Sequence, residues 1–290
     1  MPDFRSARPE ERYLRARISS QRNDPPSRLV TQAQLAKHWK KTGDYRRASL
    51  LLSFTLAAAE NVHGVKSLEV ARLCNQSGVL GKYTGNFDHS QRLYIRALMI
   101  LRRELGPDHD SVATIYHNLG GLEHSRGNPE LGEPWAAWSV EVRERLHGPD
   151  HPLVAADLAA WAPLLVGCGR LEEAEIQLQR ALKIFEAVGD DYERAVTLHN
   201  MAALQHARGA DREALAGYVQ ALVVKECVLG AHHPDLATSL VNLAGVCRRV
   251  GELDRAQRYL SRAVRILTPQ VSSGHPTLAA ARRGLDSLSR

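Results

Sequence analysis

The sequence predicts an all-α solenoid of six antiparallel helix pairs followed by one C-terminal capping helix. Three observations predict it: glycines recur at a nearly constant spacing, small residues keep fixed distances from them, and leucines follow a helical period. The glycines are 42, 42, 42, 40 and 42 residues apart, at Gly43, Gly85, Gly127, Gly169, Gly209 and Gly251. Units of this length stack into an array, because one unit alone cannot bury its apolar face.

Each glycine is predicted to end the first helix of a pair, where the backbone needs a left-handed residue. Seven positions before each glycine stands a small residue, which lets two helices approach closely. These residues are Ala36, Gly78, Gly120, Ala162, Ala202 and Ala244. In the last pair, Leu253, Leu260 and Leu267 lie at helical spacing and mark the second helix.

Short strings containing Pro, Asp and His separate the repeats, as in GPDHD at 106–110 and GPDHP at 148–152. Pro and Asp there stop one helix and cap the next. The histidines of these strings are predicted to cap helices and are His109, His151, His232, His233 and His275. The repeats are therefore placed near 28–63, 67–105, 109–147, 151–188, 191–229 and 233–270.

The two ends differ from the repeats. Residues 1–27 match no repeat and are predicted to form a basic N-terminal tail, either mobile or a short helix, ended by Pro25-Pro26. The array then covers 28–288 and ends in a capping helix at 275–288. That helix has Gly284 and Asp286 where the preceding repeat has Asn242 and Ala244, and a more polar end unit is what a solvent-facing cap requires.

The strings SLVNLAGVCRRVGELDRAQRYLSRAVRIL (239–267) and LHNMAALQHARGADREALAGYVQALVV (198–224) carry a family resemblance. With the GPDHP linker and the 42-residue length, they resemble the tetratricopeptide repeat (TPR) of kinesin light chains and their bacterial relatives. The resemblance covers about residues 28–288. It implies a right-handed superhelix in which the first helix of each pair lines a concave groove, and a non-catalytic scaffold or adaptor that binds protein or peptide.

Two residues before each small position, five of the six repeats carry a carboxamide. These are Gln34, Gln76, Asn118, Asn200 and Asn242, with Ala160 in the fourth repeat. In the family that the chain resembles, an asparagine here clamps the backbone of an extended peptide; the three asparagines match directly and the two glutamines more loosely. The alternative is that the asparagines bond the neighbouring repeat and fix the superhelical pitch.

Charge is unevenly distributed along the chain. Residues 1–104 carry 19 basic and 9 acidic side chains, a net charge of +10, residues 105–232 carry −9, and residues 233–290 carry +5. A nucleic-acid binder would not have an acidic middle, and neither nucleic acid nor membrane is an expected partner. The cations expected in the groove suit an acidic peptide or a free carboxylate, and are Lys37, Lys40, Lys41, Arg72, Lys82, Arg248 and Arg249. Ordinary surface charge is the alternative.

Two histidine pairs share a spacing of seven residues, which places each pair on one helix face. They are His117 with His124 and His199 with His206. A metal pair on a helix needs a spacing of four, so these histidines are predicted to line the peptide groove rather than bind an ion; a fortuitous position on the surface is the alternative. The sequence therefore predicts no metal and no cofactor.

The fourth repeat and the helix before it break the pattern. Trp135, Trp138, Trp161 and Pro163 are candidates for the walls of a pocket in the middle of the array, and a compensated irregularity of packing is the alternative.

The sequence contains no GxSxG, no GxxxxGK[ST] and no GxGxxG after a strand, so no enzyme activity is predicted. Two other functions stay open: a regulatory sensor whose superhelix responds to a signal peptide or small ligand, and a specialised enzyme on a helical-repeat frame. Four widely spaced cysteines and the absence of a long apolar run indicate a reducing, cytoplasmic location.

Overall fold

The computed structural model describes residues 9–271, 273 and 275–288, and within them every regular element is an α-helix. The fourteen helices are α1 (Pro9–Ser20), α2 (Pro25–Lys41), α3 (Tyr45–His63), α4 (Leu68–Thr84), α5 (Phe87–Leu105), α6 (Asp110–Arg126), α7 (Pro129–His147), α8 (Pro152–Gly167), α9 (Leu171–Val188), α10 (Asp191–Ala207), α11 (Asp211–Leu229), α12 (Leu236–Arg249), α13 (Leu253–Leu267) and α14 (Pro276–Leu288). Pairs α2–α3 to α12–α13 are the six predicted repeats, and α14 is the capping helix. The predicted fold class is confirmed.

The chain divides into two compact units, Met1–Glu104 and Leu105–Arg290, called unit 1 and unit 2 below. Unit 1 contains α1 to α4 and nearly all of α5, and unit 2 contains α6 to α14. The division falls where the net charge of the sequence changes from positive to negative. Unit 1 is therefore the basic part of the molecule.

The N-terminal segment begins with a helix. Helix α1 lies within the predicted tail, whose residues 1–8 are outside the described part of the chain. Pro25 and Pro26 do not end the tail but form the first turn of α2, which is capped by the Asp24 carboxylate accepting from the Ser27 N–H at 3.2 Å. Proline fits there because the first backbone N–H groups of a helix have no partner inside it.

The glycines and small residues have their predicted places. All six glycines that follow a first helix have φ between 76° and 84°, in the left-handed region that strains other residues. The small residue of each repeat is buried, and in the second repeat it is Gly78. A Cβ at Gly78 would lie 2.6 Å from the Tyr94 ring, so this crossing requires glycine.

Histidines cap two of the first helices. The Nδ1 atom of His109 accepts from the Ser111 N–H at 3.0 Å, and that of His151 accepts from the Leu153 N–H at 3.1 Å. His233 accepts in the same way, at 3.2 Å, in the turn before α12. The capping role predicted for His109 and His151 is confirmed, whereas Asp235 and not His233 is the residue that precedes α12.

Ion pairs join second helices of successive repeats within each unit. In unit 1, Arg96 of α5 binds Glu60 of α3 at 2.5 Å. In unit 2, Arg180 binds Glu144 at 2.6 Å, and Arg262 binds Glu226 in the same way. Each of the three guanidinium groups also donates to a backbone carbonyl oxygen in the turn that joins the two repeats. These oxygens belong to Val65, Pro149 and Ala231. This contact recurs in every second repeat.

Candidate functional site

The first helices carry two sets of polar residues at constant registers. The carboxamide register holds the five residues predicted from the sequence. Six positions later lies a second register, the basic register, whose members are Lys40, Lys82, His124, His206 and Arg248. The fourth repeat interrupts both registers, with Ala160 in the first and Val166 in the second. These basic residues were predicted individually from the sequence, without the register that they share.

In unit 1 the two basic-register lysines lie beside one aromatic ring. The Nζ atoms of Lys40 and Lys82 are 5.3 and 5.5 Å from the centroid of the Tyr83 ring. Tyr83 is in turn packed at 4.9 Å against the ring of Tyr45, whose side chain is buried. Cations at this distance from a ring face are attracted to it, so one ring contacts ammonium groups from both α2 and α4.

The other predicted residues of unit 1 have different surroundings. Gln34, Lys37 and Lys41 are exposed on α2, while Gln76 of α4 is half-buried with no partner for its Oε1 atom.

Arg72 is held by a carboxylate on its own helix. It binds Glu69 at 2.5 Å, and this hydrogen bond lowers the pKa of the Glu69 carboxyl. Its charge is thereby largely neutralised, so the basic character of this part of unit 1 comes from the lysines.

In unit 2 two carboxamides bind the preceding repeat. The Nδ2 group of Asn200 donates to the carbonyl oxygen of Ala159 at 2.8 Å, and that of Asn242 lies 3.2 Å from Nε2 of His199. Both contacts join consecutive first helices and favour the alternative that these residues fix the repeats to one another. Each contact uses one of the two amide hydrogens, so a carboxamide can also bind a ligand. Asn118 is half-buried on α6.

His117 is oriented by a buried carboxylate. Its Nδ1 atom is 2.7 Å from Oδ1 of Asp157, which is fully buried, while one-third of the His117 side chain is exposed. Arg143 lies 3.3 Å from the same oxygen and donates to the Thr114 hydroxyl at 2.9 Å. Because Asp157 occupies Nδ1, the Nε2 atom is the ring nitrogen left for a ligand.

The structure places His199 in the core of unit 2, with 6% of its surface exposed. Its Nδ1 atom lies 3.2 Å from the Ser239 hydroxyl, and its ring is 4.8 Å from that of Tyr218. Burial, with a smaller contribution from the charge of Lys225, holds the pKa of His199 well below its usual value. The His199 side chain is therefore uncharged at neutral pH and packs inside unit 2.

Lys225 is a buried cation that was not predicted from the sequence. It lies on α11 with 8% of its surface exposed, and its Nζ atom is 3.4 Å from the Ser239 hydroxyl. Burial lowers the pKa of Lys225 to about 8, although the nearby carboxylates of Asp235 and Glu193 oppose the shift. A lysine within an otherwise apolar helix face is the sequence signal that could have indicated it.

The remaining predicted side chains of the first helices lie near helix ends. The Nδ1 atom of His206 is 2.7 Å from Oδ1 of Asp211, whose Oδ2 accepts from Nε of Arg249 at 2.8 Å. His124 and Arg248 are exposed. The basic register of unit 2 therefore combines one carboxylate-bound imidazole with two exposed basic side chains.

The tryptophans of the predicted pocket have different partners. Trp135 and Trp138 of α7 pack on each other at 5.2 Å, and both lie 5.7 Å from the Tyr116 ring of α6. Trp161 instead donates from Nε1 to Glu133 at 3.2 Å. Pro163 is half-buried, and α8 continues through it from Pro152 to Gly167.

Two negative findings apply to the described residues. No group of three or more His, Cys, Asp or Glu side chains is placed to hold a metal ion among them. Within the same residues, no helix combines the length and the apolar character that crossing a membrane requires.

The geometry defines a helical-repeat protein with polar registers on its first helices, and the comparisons specify the family. Two family models of the tetratricopeptide repeat match the chain, one at residues 73–131, 158–226 and 212–269 and the other at 112–153. The chain belongs to the tetratricopeptide repeat family. Repeats of this family form scaffolds for protein interaction, and that is the general role of the chain.

Solved structures show the same fold. A putative kinesin light chain with TPR-like repeats from Podosopora anserina superimposes with a TM-score of 0.55 at 19% identity, over 69% of this chain and 96% of its own. A tetratricopeptide repeat protein from Parabacteroides merdae gives 0.59 at 16% identity, over 97% and 91%. A Rap protein in complex with competence and sporulation factor gives 0.57 at 13% identity, over 97% and 86%.

Curated relatives match over a short segment. A clustered mitochondria protein homologue from Coccidioides immitis is 28% identical over 102 residues, which is 35% of this chain. The homologue from Aspergillus clavatus matches to the same extent. In both, the matching segment spans 8% of the relative's length. The likeness therefore concerns the repeats and not the rest of those proteins.

Proposed function

We propose that the chain is a non-catalytic scaffold whose first helices bind an extended, acidic peptide segment of a partner protein. The observation that carries the proposal is the basic register, which places a cationic or titratable side chain in five of the six repeats. Within unit 1, a carboxylate-bearing peptide that passes the first helices would meet Lys40 and Lys82, and within unit 2 it would meet His124, His206 and Arg248.

Unit 1 supports the acidic character of the peptide. The ammonium groups of Lys40 and Lys82 both lie near the Tyr83 ring. Lys37 is exposed one helical turn before Lys40. The sequence of this unit has a net charge of +10, so its electrostatic potential attracts anionic segments and accelerates their association. Salt is expected to weaken the binding, because these side chains are accessible to solvent.

Unit 2 supports contacts with the peptide backbone. Asn118 and Asn200 can each donate and accept hydrogen bonds, and one-third of the His117 side chain is exposed while Asp157 binds its Nδ1 atom. Each such bond contributes about 0.5–1.5 kcal/mol. Backbone contacts of this kind select an extended conformation without selecting a side-chain sequence.

The proposal is tested by selecting binders from a random dodecapeptide library with the full chain as bait. We expect the selected peptides to be enriched in Asp and Glu. Their affinity, measured by fluorescence anisotropy, should fall about tenfold in the double variant Lys40→Glu/Lys82→Glu. That factor corresponds to about 1.4 kcal/mol, which is within reach of two reversed ion pairs at exposed sites.

The matched control is Arg22→Glu/Arg46→Glu, which makes the same change of net charge at two other exposed positions of unit 1. It should change the affinity much less than the lysine variant does. Selection of neutral or basic peptides would contradict the proposal, and so would equal losses in the two double variants.

A further inference from the structure

A cleft of about 710 Å³ lies beside α5 in unit 1, on a different set of residues from the carboxamide and basic registers. Its walls come from α5 and from the loop between α3 and α4. The lining residues are Val65, Lys66, Gln91, Arg92, Ile95, Arg96, Met99, Ile100 and Arg103. The volume is within the range of about 300–1,000 Å³ that is usual for binding sites.

The chemistry of the cleft is apolar in the middle and cationic around it. Met99 and Val65 are exposed over 69% and 56% of their surfaces, although both are hydrophobic. Four of the nine lining residues are basic and none is acidic. Exposed apolar surface with a rim of one sign of charge is typical of an interaction site.

The cationic walls are held in place by the loop. Arg96 donates to the carbonyl oxygen of Val65 at 2.9 Å, and Arg103 donates to that of Lys66 at 3.1 Å. Glu60 pairs with Arg96 on the side of α3. Because the loop and the arginines are already fixed to each other, little conformational entropy is lost when the cleft is filled.

The order of residues along α5 indicates the shape of the occupant. Arg92 stands near one end of the cleft, and Arg103 with Lys66 at the other, with Ile95 and Met99 between them. Arg92 and Arg103 are separated along the helix by about 16 Å, at 1.5 Å per residue. A ligand with a single anionic group would contact only one of the two charged ends of the cleft. A partner helix of three turns is about as long as the 16 Å between Arg92 and Arg103.

We propose that this cleft binds an amphipathic α-helix of a partner protein, with an apolar stripe for Ile95 and Met99 and carboxylates on both sides of it. Charge complementarity carries the choice of occupant, because the lining has no acidic side chain. Of its four cations, Arg96 and Arg103 are paired with Glu60 and Glu104, whereas Arg92 and Lys66 have no carboxylate partner among the described residues. Helix-in-groove recognition needs apolar anchors at helical spacing, and the α5 surface offers matching positions. The inference goes beyond the proposed groove function, because neither polar register contributes a residue to the cleft.

The test is a phage selection from a helical scaffold library with one randomised face, in two steps. Phage that bind the full-length Met99→Glu variant are first removed, and the remainder are selected on the wild-type chain. Met99 is largely exposed, so the substitution places a carboxylate in the cleft without disturbing the core. We expect selected helices to carry leucine-like residues at spacings of three and four, flanked by Asp or Glu.

Affinities of the selected helices, measured as purified peptides, decide the outcome. We expect at least a tenfold loss for Arg92→Glu and less than a twofold change for Lys40→Glu/Lys82→Glu, which alters the basic register only. A proline substituted in the middle of the peptide should abolish binding. The proposal is overturned if no phage are recovered on the wild-type chain after the depletion step, if the recovered helices are basic, or if Arg92→Glu binds them as wild type does.

Discussion

Replacing Lys225 with methionine should change how the stability of unit 2 depends on pH. Lys225 is almost fully buried, beside the Ser239 hydroxyl and near the carboxylates of Glu193 and Asp235. Burial disfavours the charged ammonium group, so the pKa of Lys225 falls to about 8 in the folded chain from an ordinary value of 10.5. Methionine has a similar length and no charge, so it removes the titration and largely keeps the volume.

The sign follows from which state holds the proton. Between pH 8 and 10.5 the unfolded chain keeps the Lys225 proton while the folded chain has lost it, so stability rises with pH in this window. Below pH 8 both states are protonated and the contribution is constant. Between pH 7 and pH 10, the free energy of unfolding of the wild type should rise by about 2–3 kcal/mol relative to that of Lys225→Met.

The assay is urea unfolding of both chains at a series of pH values across this window, followed by circular dichroism. The difference between the two unfolding free energies is the informative quantity. Tyrosine and cysteine side chains also titrate at alkaline pH, but they contribute equally to both chains and cancel. Equal dependence of the free energy on urea in the two chains shows that the same surface unfolds.

Lys183→Met is the matched control, since Lys183 is an exposed lysine of the same unit. Its difference from wild type should stay nearly constant over the same pH range. A constant difference for Lys225→Met would refute the argument that burial shifts this lysine. So would a rise of equal size in Lys183→Met, because that rise could not come from desolvation.

Three further substitutions test the contacts between repeats. Asn200→Ala removes the hydrogen bond to the Ala159 carbonyl and should lower the free energy of unfolding by about 0.5–1.5 kcal/mol in urea titrations. Asp157→Ala leaves Arg143 buried without its carboxylate and should cost about 3–5 kcal/mol. His199→Leu removes an imidazole whose pKa is lowered by burial, so the wild type should lose stability relative to this variant as pH falls below 6.5.

Each of these outcomes can fail in a specific way. Unchanged stability of Asn200→Ala would mean that the carboxamide is held for ligand binding and not for the array. A small cost for Asp157→Ala would mean that water reaches Arg143 when the carboxylate is removed. A parallel acid response of wild type and His199→Leu would show that the imidazole of His199 is accessible to protons in the folded chain.

The parts of the fold that were predictable from the sequence are those set by local backbone chemistry. Gly43 and Gly85 end first helices at positive φ, a conformation that only glycine adopts without strain. Gly78 meets the Tyr94 ring at a distance that admits no side chain. Because such constraints act at the same place in every repeat, their period is visible in one sequence.

The site was less predictable, because its contacts join residues far apart in the chain. Asp157 binds a histidine that lies 40 residues earlier and an arginine that lies 14 residues earlier. In the sequence, Lys225 cannot be distinguished from the exposed lysines, because its burial depends on the packing of α11 against α12. A register predicts which helix face a residue occupies, but its burial depends on what the neighbouring repeats place opposite.

His117 and His199 show how one residue of the next repeat determines whether a histidine is buried. They occupy the same register two repeats apart, and each meets a residue 40 positions later in the next first helix, Asp157 or Ser239. The Nε2 atom of His199 is covered by Asn242. At the position corresponding to Asn242, the repeat after His117 has Ala160, and His117 stays one-third exposed.

Exchanging these two neighbours should therefore exchange the accessibility of the two histidines. In Ala160→Asn, the new carboxamide should cover Nε2 of His117 and slow its modification by diethyl pyrocarbonate several-fold, measured by mass spectrometry of the digested chain. In Asn242→Ala, His199 should become reactive. His124, exposed on the same helix as His117, serves as the internal control and should keep its rate. If His117 reacts as fast with asparagine at position 160, its exposure is set by something other than the missing carboxamide.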